Sequence, residues 1–286
     1  MKLSERRGSL IGRCTDVGKI REVNEDNLGD LPVDGGHVLI VADGMGGYRG
    51  GAIASRLVVE ACEEYFHDAE LSNPQKAIHE AICLANERIH MRGQQDEELS
   101  RMGSTAVVAI VRRGFLYIGH VGDSRIYLQR AEDGLFQRLT CDHTVVQHFV
   151  KVGLLTEEEA EGHPDGHILS RALGPRTHVE PEVREDPIRM YPGDRVLLCS
   201  DGLSKMVMDA EVDALISGEY TPQELAERLV AEANACGGDD NITVIVFEYH
   251  PSAEDEDFAS EITAEYESLD DTAVMPTLDT SSSQES

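Results

Sequence analysis

Three carboxylates stand where chemistry needs them, each at the edge of an apolar run. In Val38-Leu-Ile-Val-Ala-Asp-Gly-Met-Gly-Gly47 a short, β-branched run ends in Asp43 and then in glycines. In Arg195-Val-Leu-Leu-Cys-Ser-Asp-Gly202 a second apolar run ends in Asp201-Gly202. Gly237-Gly-Asp-Asp-Asn-Ile-Thr-Val-Ile-Val-Phe247 reverses the order, with Asp240 just ahead of a strand. An Asp-Gly pair after a strand is ordinarily a hairpin turn. Here the run before Asp201 is uniformly apolar, as in a strand buried on both faces, so its terminal carboxylate requires a partner. Two unpaired carboxylates about 4 Å apart repel by roughly 4 kcal/mol at an effective dielectric near 20. No set of Lys or Arg residues accompanies all three in sequence, so divalent cations are the economical partner. Oxygen-only ligands favour Mg2+ or Mn2+ over Zn2+. Gly44 allows close backbone approach beside Asp43, and Gly46 and Gly47 permit a tight turn.

These carboxylates require strands to hold them. Strands are expected at Leu10 to Thr15, Val38 to Ala42, Thr105 to Val111, Phe115 to Val121, Ser124 to Leu128, Phe136 to Leu139, Val196 to Cys199 and Ile242 to Phe247. Arg21 to Asn27 reads as a polar loop leading to the Asp43 strand. The turns Arg113-Gly114 and Gly122-Asp123 join three of the strands in series. Helical spacing of apolar residues predicts helices over Gly50 to Phe66 and from Pro74 to about His90, then Asp209 to Ile216 and Pro222 to Ala235. His143 to Ala172 reads as short helices and loops. Strands joined by short turns, with helices in blocks between them, predict an α+β fold of antiparallel sheets covered by helices.

The 286 residues suffice for one large domain or two small ones. Hydrophobic residues make up 41 % of the chain, and no apolar run approaches the roughly 20 residues of a membrane span. The basic first ten residues lack the apolar centre of a signal peptide. Six cysteines are scattered without a Cys-x-x-Cys pair, which suits free thiols in a cytoplasmic setting. A net charge of −29 disfavours bare nucleic acid and anionic lipid as partners. From His250 onward there are eleven acidic residues and no Lys or Arg, so a folded domain is expected over 1–249, followed by an acidic, Ser/Thr-rich disordered tail over 250–286.

Six short blocks occur in order: Arg21-x-x-Asn-Glu-Asp26, Asp43-Gly-Met-Gly-Gly47, Gly103-Ser-Thr-Ala106, Val121-Gly-Asp-Ser-Arg125, Cys199-Ser-Asp-Gly202 and Gly238-Asp-Asp-Asn-Ile-Thr243. Together they resemble the protein phosphatase 2C family of metal-dependent serine/threonine phosphatases, in its bacterial form, over about residues 8 to 249. The resemblance implies a four-layer α-β-β-α sandwich, two antiparallel sheets flanked by helix pairs. It implies that Asp43 bridges two Mn2+ or Mg2+ ions, that Asp201 and Asp240 complete the first, and that the Gly44 carbonyl and Glu25 serve the second. A water between such ions becomes the nucleophile that attacks phosphorus in line. Asp26 would orient a metal-bound water, and Arg21 would grip two phosphate oxygens through its fork. Asp123 with Asp201 matches the position of a third, weaker metal. Many eukaryotic relatives place a His after the Asp-Gly pair. Met45 stands there in this chain, which leaves a metal-bound water, a flap histidine or solvent to protonate the leaving oxygen.

The expected activity is hydrolysis of phosphoserine and phosphothreonine in phosphoproteins, opposing a bacterial Hanks-type kinase, by a monomer. The other readings are a phosphatase of small metabolites and a non-catalytic metal-binding regulator. The tail segment Leu269-Asp-Asp-Thr-Ala-Val-Met-Pro276 is similar to threonine-centred segments that kinases phosphorylate, so Thr272 is a candidate docking point for a forkhead-associated domain.

Overall fold

The computed structural model describes residues 10–47, 49–160, 163–252 and 255. Its strands are β1 (Leu10–Asp16), β2 (Asp26–Val33), β3 (Gly36–Met45), β4 (Gly103–Ser104), β5 (Ala106–Arg112), β6 (Phe115–Val121), β7 (Arg125–Gln129), β8 (Phe136–Arg138), β9 (Glu182–Val183), β10 (Ile188–Arg189), β11 (Arg195–Cys199) and β12 (Ile242–Glu248). The helices are α1 (Gly50–Asp68), α2 (Pro74–Gln94), α3 (Val145–Lys151), α4 (Glu157–Ala160), α5 (Asp201–Ser204), α6 (Asp209–Ile216) and α7 (Pro222–Ala235). One sheet has the order β1-β12-β11-β7-β8. The other has the order β10-β6-β5-β3-β2, with β4 paired to β3 and β9 to β6. Every pairing is antiparallel.

Side-chain alternation along the strands builds three apolar layers. Leu39, Val41, Val107 and Ala109 meet Ile126, Leu128, Val196, Leu198, Ile245 and Phe247 between the sheets. The opposite faces carry Val38, Ile40, Val108 and Ile110, which pack on α1 and α2. Tyr127, Leu197, Val244 and Val246 pack on α6 and α7. This is the four-layer sandwich expected from the resemblance. The helices begin where the sequence has starting residues. Asn73 accepts a hydrogen bond from the Lys76 amide ahead of Pro74, and Thr221 and Glu224 close a capping box around Pro222.

Two expectations are corrected. The polar stretch after Arg21 does not stay a loop: Asp26 opens β2, which pairs with β3 in a register that sets Asp26 opposite Asp43. Its composition conceals it, because Gly29, Asp30 and Pro32 are poor strand formers. As an edge strand it tolerates Pro32. Leu28 faces the inter-sheet core, and Leu31 faces the helices. Secondly, β6 and β7 are not a hairpin: they belong to different sheets, and Gly122-Asp123 carries the chain from one to the other. Gly122 has a φ of 106°, and a Cβ there would lie 2.5 Å from Thr105 Cγ2. Only glycine permits that crossing.

Candidate metal centre

The inward face of each central strand is apolar until one end of the sandwich, where it turns polar in register. Continuing Leu39 and Val41 by two residues reaches Asp43, and continuing Leu28 backwards reaches Asp26. The same step from β5, β7, β11 and β12 reaches Thr105, Ser124, Ser200 and Thr243. These side chains bond to one another across the two sheets. Ser200 Oγ donates to Asp26 Oδ2 at 2.7 Å, and the Thr243 amide donates to Ser200 Oγ at 2.9 Å. Thr105 Oγ1 accepts from the Asp43 amide at 3.0 Å and shares a proton with Ser124 Oγ at 2.7 Å. Thr15 Oγ1 meets Thr243 Oγ1 at 2.8 Å. A polar belt thus closes the core and fixes two of the carboxylates.

Above this belt lies a cleft of about 910 Å³ whose walls include Arg21, Glu25, Asp43, Gly44, Asp123, Asp201 and Asp240. Every predicted metal or phosphate residue therefore meets in one place, and Asp26 sits directly behind, almost fully buried. One oxygen each of Asp43, Asp123 and Asp201 lies within 4.8 Å of the others. Asp43 and Asp26 come from paired strands, Asp123 from the sheet-to-sheet crossing and Asp201 from the start of α5. Asp240 and Glu25 are tied together by Asn241. Its Oδ1 accepts from the Glu25 amide at 2.8 Å, and its amide group donates to the carbonyls of Val17 and Val23.

So much negative charge with so little water raises its own proton affinity. Burial, then Asp201, Asp26, Asp123 and Asp240, hold the Asp43 carboxyl well above the usual carboxylate range. Burial raises Asp26 to about 7 against the hydrogen bonds from Ser200 and Thr243. Burial and Asp201 raise Asp123 to about 7. Burial also raises Glu25. Perturbation of this kind marks a site built for a counter-charge.

The donor set fits divalent cations of the Mg2+ and Mn2+ type. Glu25 Oε1, Asp26 Oδ1 and Asp201 Oδ1 are buried and have no hydrogen-bond partner among the described residues, which protein interiors avoid. Two glycines keep the space clear: a Cβ on Gly51 would lie 2.4 Å from Glu25 Oε1 and 2.7 Å from the Gly44 carbonyl oxygen. A Cβ on Gly44 would lie 2.1 Å from the Gly51 oxygen. A second cluster, His120, His143 and Glu182, contrasts with this one. The two imidazoles stack with centroids 4.5 Å apart. His143 Nδ1 accepts from the Gly122 amide, His143 Nε2 meets Glu182, and His120 Nε2 meets the Cys141 carbonyl. Both ring nitrogens of His143 and one of His120 are already hydrogen-bonded within the protein, and the Gly122 contact braces the Asp123 turn.

Arg21, expected from the sequence, pairs with Asp240 Oδ2 at 2.9 Å and keeps half its side chain exposed in the cleft. Other cleft residues carried no such expectation. Lys205 pairs with Asp201 and lies 4.0 Å from Asp123 Oδ2. Its position four residues after Asp201 was the available signal. Arg171, Arg176, His167 and His178 complete the cleft wall from the segment between α4 and β9.

A family model described as protein phosphatase 2C matches residues 20–234. A serine/threonine phosphatase of Listeria innocua is 37 % identical over 239 residues, 82 % of this chain and 93 % of that protein. The solved serine/threonine phosphatase of S. agalactiae superposes with a TM-score of 0.78 at 32 % identity, covering 85 % of this chain and all of that one. The catalytic domain of the serine threonine protein phosphatase PstP, solved in complex with two manganese ions, superposes with a TM-score of 0.74 at 33 % identity, covering 84 % and 97 %.

Proposed function

The chain belongs to the protein phosphatase 2C family, and from that premise we propose a role for each residue of the cleft. The activity is that of a metal-dependent protein serine/threonine phosphatase. Asp43, Asp201 and Asp240 would hold one Mn2+ or Mg2+ ion. Asp43, the Gly44 carbonyl and Glu25, in part through water, would hold a second, and Asp123 with Asp201 a weaker third. When bound, such a pair of ions acidifies water to a nucleophile and offsets charge on the phosphoryl oxygens. The protein's own groups do the rest. Arg21, half-exposed at the cleft edge, presents a planar fork to two phosphate oxygens. Asp26 is held through Oδ2 by Ser200, which the Thr243 amide holds in turn, and its Oδ1 is buried with no hydrogen-bond partner among the described residues. Burial raises its proton affinity in the metal-free protein. The three orphaned carboxylate oxygens carry this reading.

Phosphoproteins are the substrates. We assign the opposing enzyme to a bacterial serine/threonine kinase and the working form to a cytoplasmic monomer. The catalytic unit is taken as residues 1–249, with 250–286 as an appended segment. Among the described residues no helix is long and apolar enough to cross a membrane. Thr272, the candidate docking point for a forkhead-associated domain, lies outside the described residues, and that role rests on its sequence context alone.

The decisive assay compares kcat/KM on phosphothreonine peptides and on sugar phosphates, with Mn2+ and after EDTA. Faster turnover of peptides that EDTA abolishes and Mn2+ restores is the expected result. Activity insensitive to EDTA, or a preference for sugar phosphates, would overturn it.

A further inference from the structure

Lys205 is the one cation among the described residues within 4.0 Å of two carboxylates of the cleft. It follows α5, one helical turn after Asp201, and the turn is set by hydrogen bonds from the Lys205 amide to the Asp201 and Leu203 carbonyls. Its ammonium bonds Asp201 Oδ2 and lies 4.0 Å from Asp123 Oδ2. Asp201 therefore divides its two oxygens. Oδ2 faces Lys205, and Oδ1 is buried and without a hydrogen-bond partner among the described residues. Asp123 and Asp201 are also the two residues assigned to the third, weaker ion. An ammonium and a divalent ion cannot share that place, because both would need the same oxygens and would repel at contact distance.

We propose that Lys205 is a resident counter-ion at the Asp123–Asp201 pair and that it must swing aside before a third divalent cation can bind there. The inference rests on the two-ion reading above. The pair is buried, with side-chain exposures of 7 % and 9 %, so it cannot stand empty of positive charge without cost. The lysine is 39 % exposed and sits on a flexible four-carbon stem, so it has somewhere to go. Burial alone would lower its proton affinity, but Asp201 and Asp123 outweigh burial and keep it charged. The consequence is a third site weakened by internal competition. If the ammonium holds the pair about nine-tenths of the time, apparent affinity for the third ion falls about tenfold. Turnover at low Mn2+ would then proceed with the core ions and Lys205 in place.

The test is a Mn2+ titration of the full-length, EDTA-stripped protein. It is followed by calorimetry and by the paramagnetic resonance signal of free Mn2+, on wild type, Lys205→Met and Lys205→Arg. Wild type should show two tight events and a weak one. Lys205→Met should keep the tight events and strengthen the weak one about tenfold. Lys205→Arg keeps the charge and the ion pair, so its weak event should stay as weak or become weaker. In EDTA, Lys205→Met should melt below wild type, and the gap should close as the third ion binds. A weak event unmoved in Lys205→Met, or strengthened in Lys205→Arg, overturns the competition. Loss of the tight events in Lys205→Met also overturns it, by making the lysine part of the core site. A wild type with no tight event would instead bring down the two-ion reading, and this proposal with it.

Discussion

Replacing Asp43 with Asn should move activity and metal-free stability in opposite directions. One Asp43 oxygen lies within 4.8 Å of oxygens of Asp123 and Asp201. At an effective dielectric near 20, each such pair repels by roughly 3 kcal/mol when both groups are ionised. Lys205 offsets part of this, and the open cleft screens more, so removing the charge should relieve about 2 kcal/mol in the metal-free protein. For a domain of this size that corresponds to a rise of about 4–8 °C in melting temperature. The gain should grow as pH rises and fade as pH falls. Burial and the neighbouring carboxylates raise the proton affinity of Asp43, so at lower pH wild type already lacks the charge. Turnover should be lost, because a neutral amide would hold cations far more weakly than a carboxylate. The assay is paired: thermal melts in EDTA and in Mn2+ across a pH series, with peptide dephosphorylation alongside. A metal-free Asp43→Asn protein that melts below metal-free wild type at the alkaline end of the series would refute the electrostatic argument. Near-normal Mn2+-dependent turnover would refute the metal assignment itself.

The metal-free wild type should lose stability as pH rises from 4 to 8. Asp26 and Asp123 have native values raised to about 7 from 3.8, so their contribution is full below the unfolded value and is lost as pH rises through the native one. At 1.36 kcal/mol per decade each group is worth up to about 4 kcal/mol, and Mn2+ should cancel the loss. Melts in EDTA that rise steadily with pH would contradict this. Arg21→Lys keeps the charge but loses the fork, so kcat/KM on a phosphothreonine peptide should fall about tenfold while Mn2+ affinity stays close to wild type. An unchanged kcat/KM would return Arg21 to a structural partner of Asp240. Gly51→Ala pushes a Cβ to 2.4 Å from Glu25 Oε1, so Glu25 or the start of α1 must shift. Calorimetry should show weaker Mn2+ binding, with a stability loss of about 1–3 kcal/mol. Binding identical to wild type would remove Glu25 from the site.

The parts of this fold that could be read from sequence are those whose signal is local. Pro74 and the Thr221–Glu224 box mark helix starts regardless of what the helices pack on. The strand β11 is apolar at Val196, Leu197, Leu198 and Cys199 because both its faces are covered, one by the other sheet and one by helices. The strand β2 was illegible for the opposite reason. At the edge of its sheet it takes its stability from pairing with β3, and neither Gly29 nor Pro32 advertises that. Nor could β6 and β7 be assigned to different sheets from a Gly-Asp turn, because the same dipeptide makes hairpins.

The site follows the same division. Asp43, Asp201 and Asp240 were legible because a carboxylate adjoining a buried strand is anomalous in itself. Thr105, Ser124, Ser200 and Thr243 are unremarkable in sequence. They become functional only through phase, since each lies two residues beyond the last apolar side chain of an inward face. Once the inter-sheet face is known, period two places every member of the belt without further information. Their collective position also explains why the candidate metal centre lies at this end. Polar groups that terminate one strand of a sandwich need partners at the same depth on the facing sheet. Asp26 finds them in Ser200 and Thr243 across the gap. The belt thus serves the core by closing it with satisfied hydrogen bonds. It serves the chemistry beside three carboxylate oxygens that have no hydrogen-bond partner among the described residues.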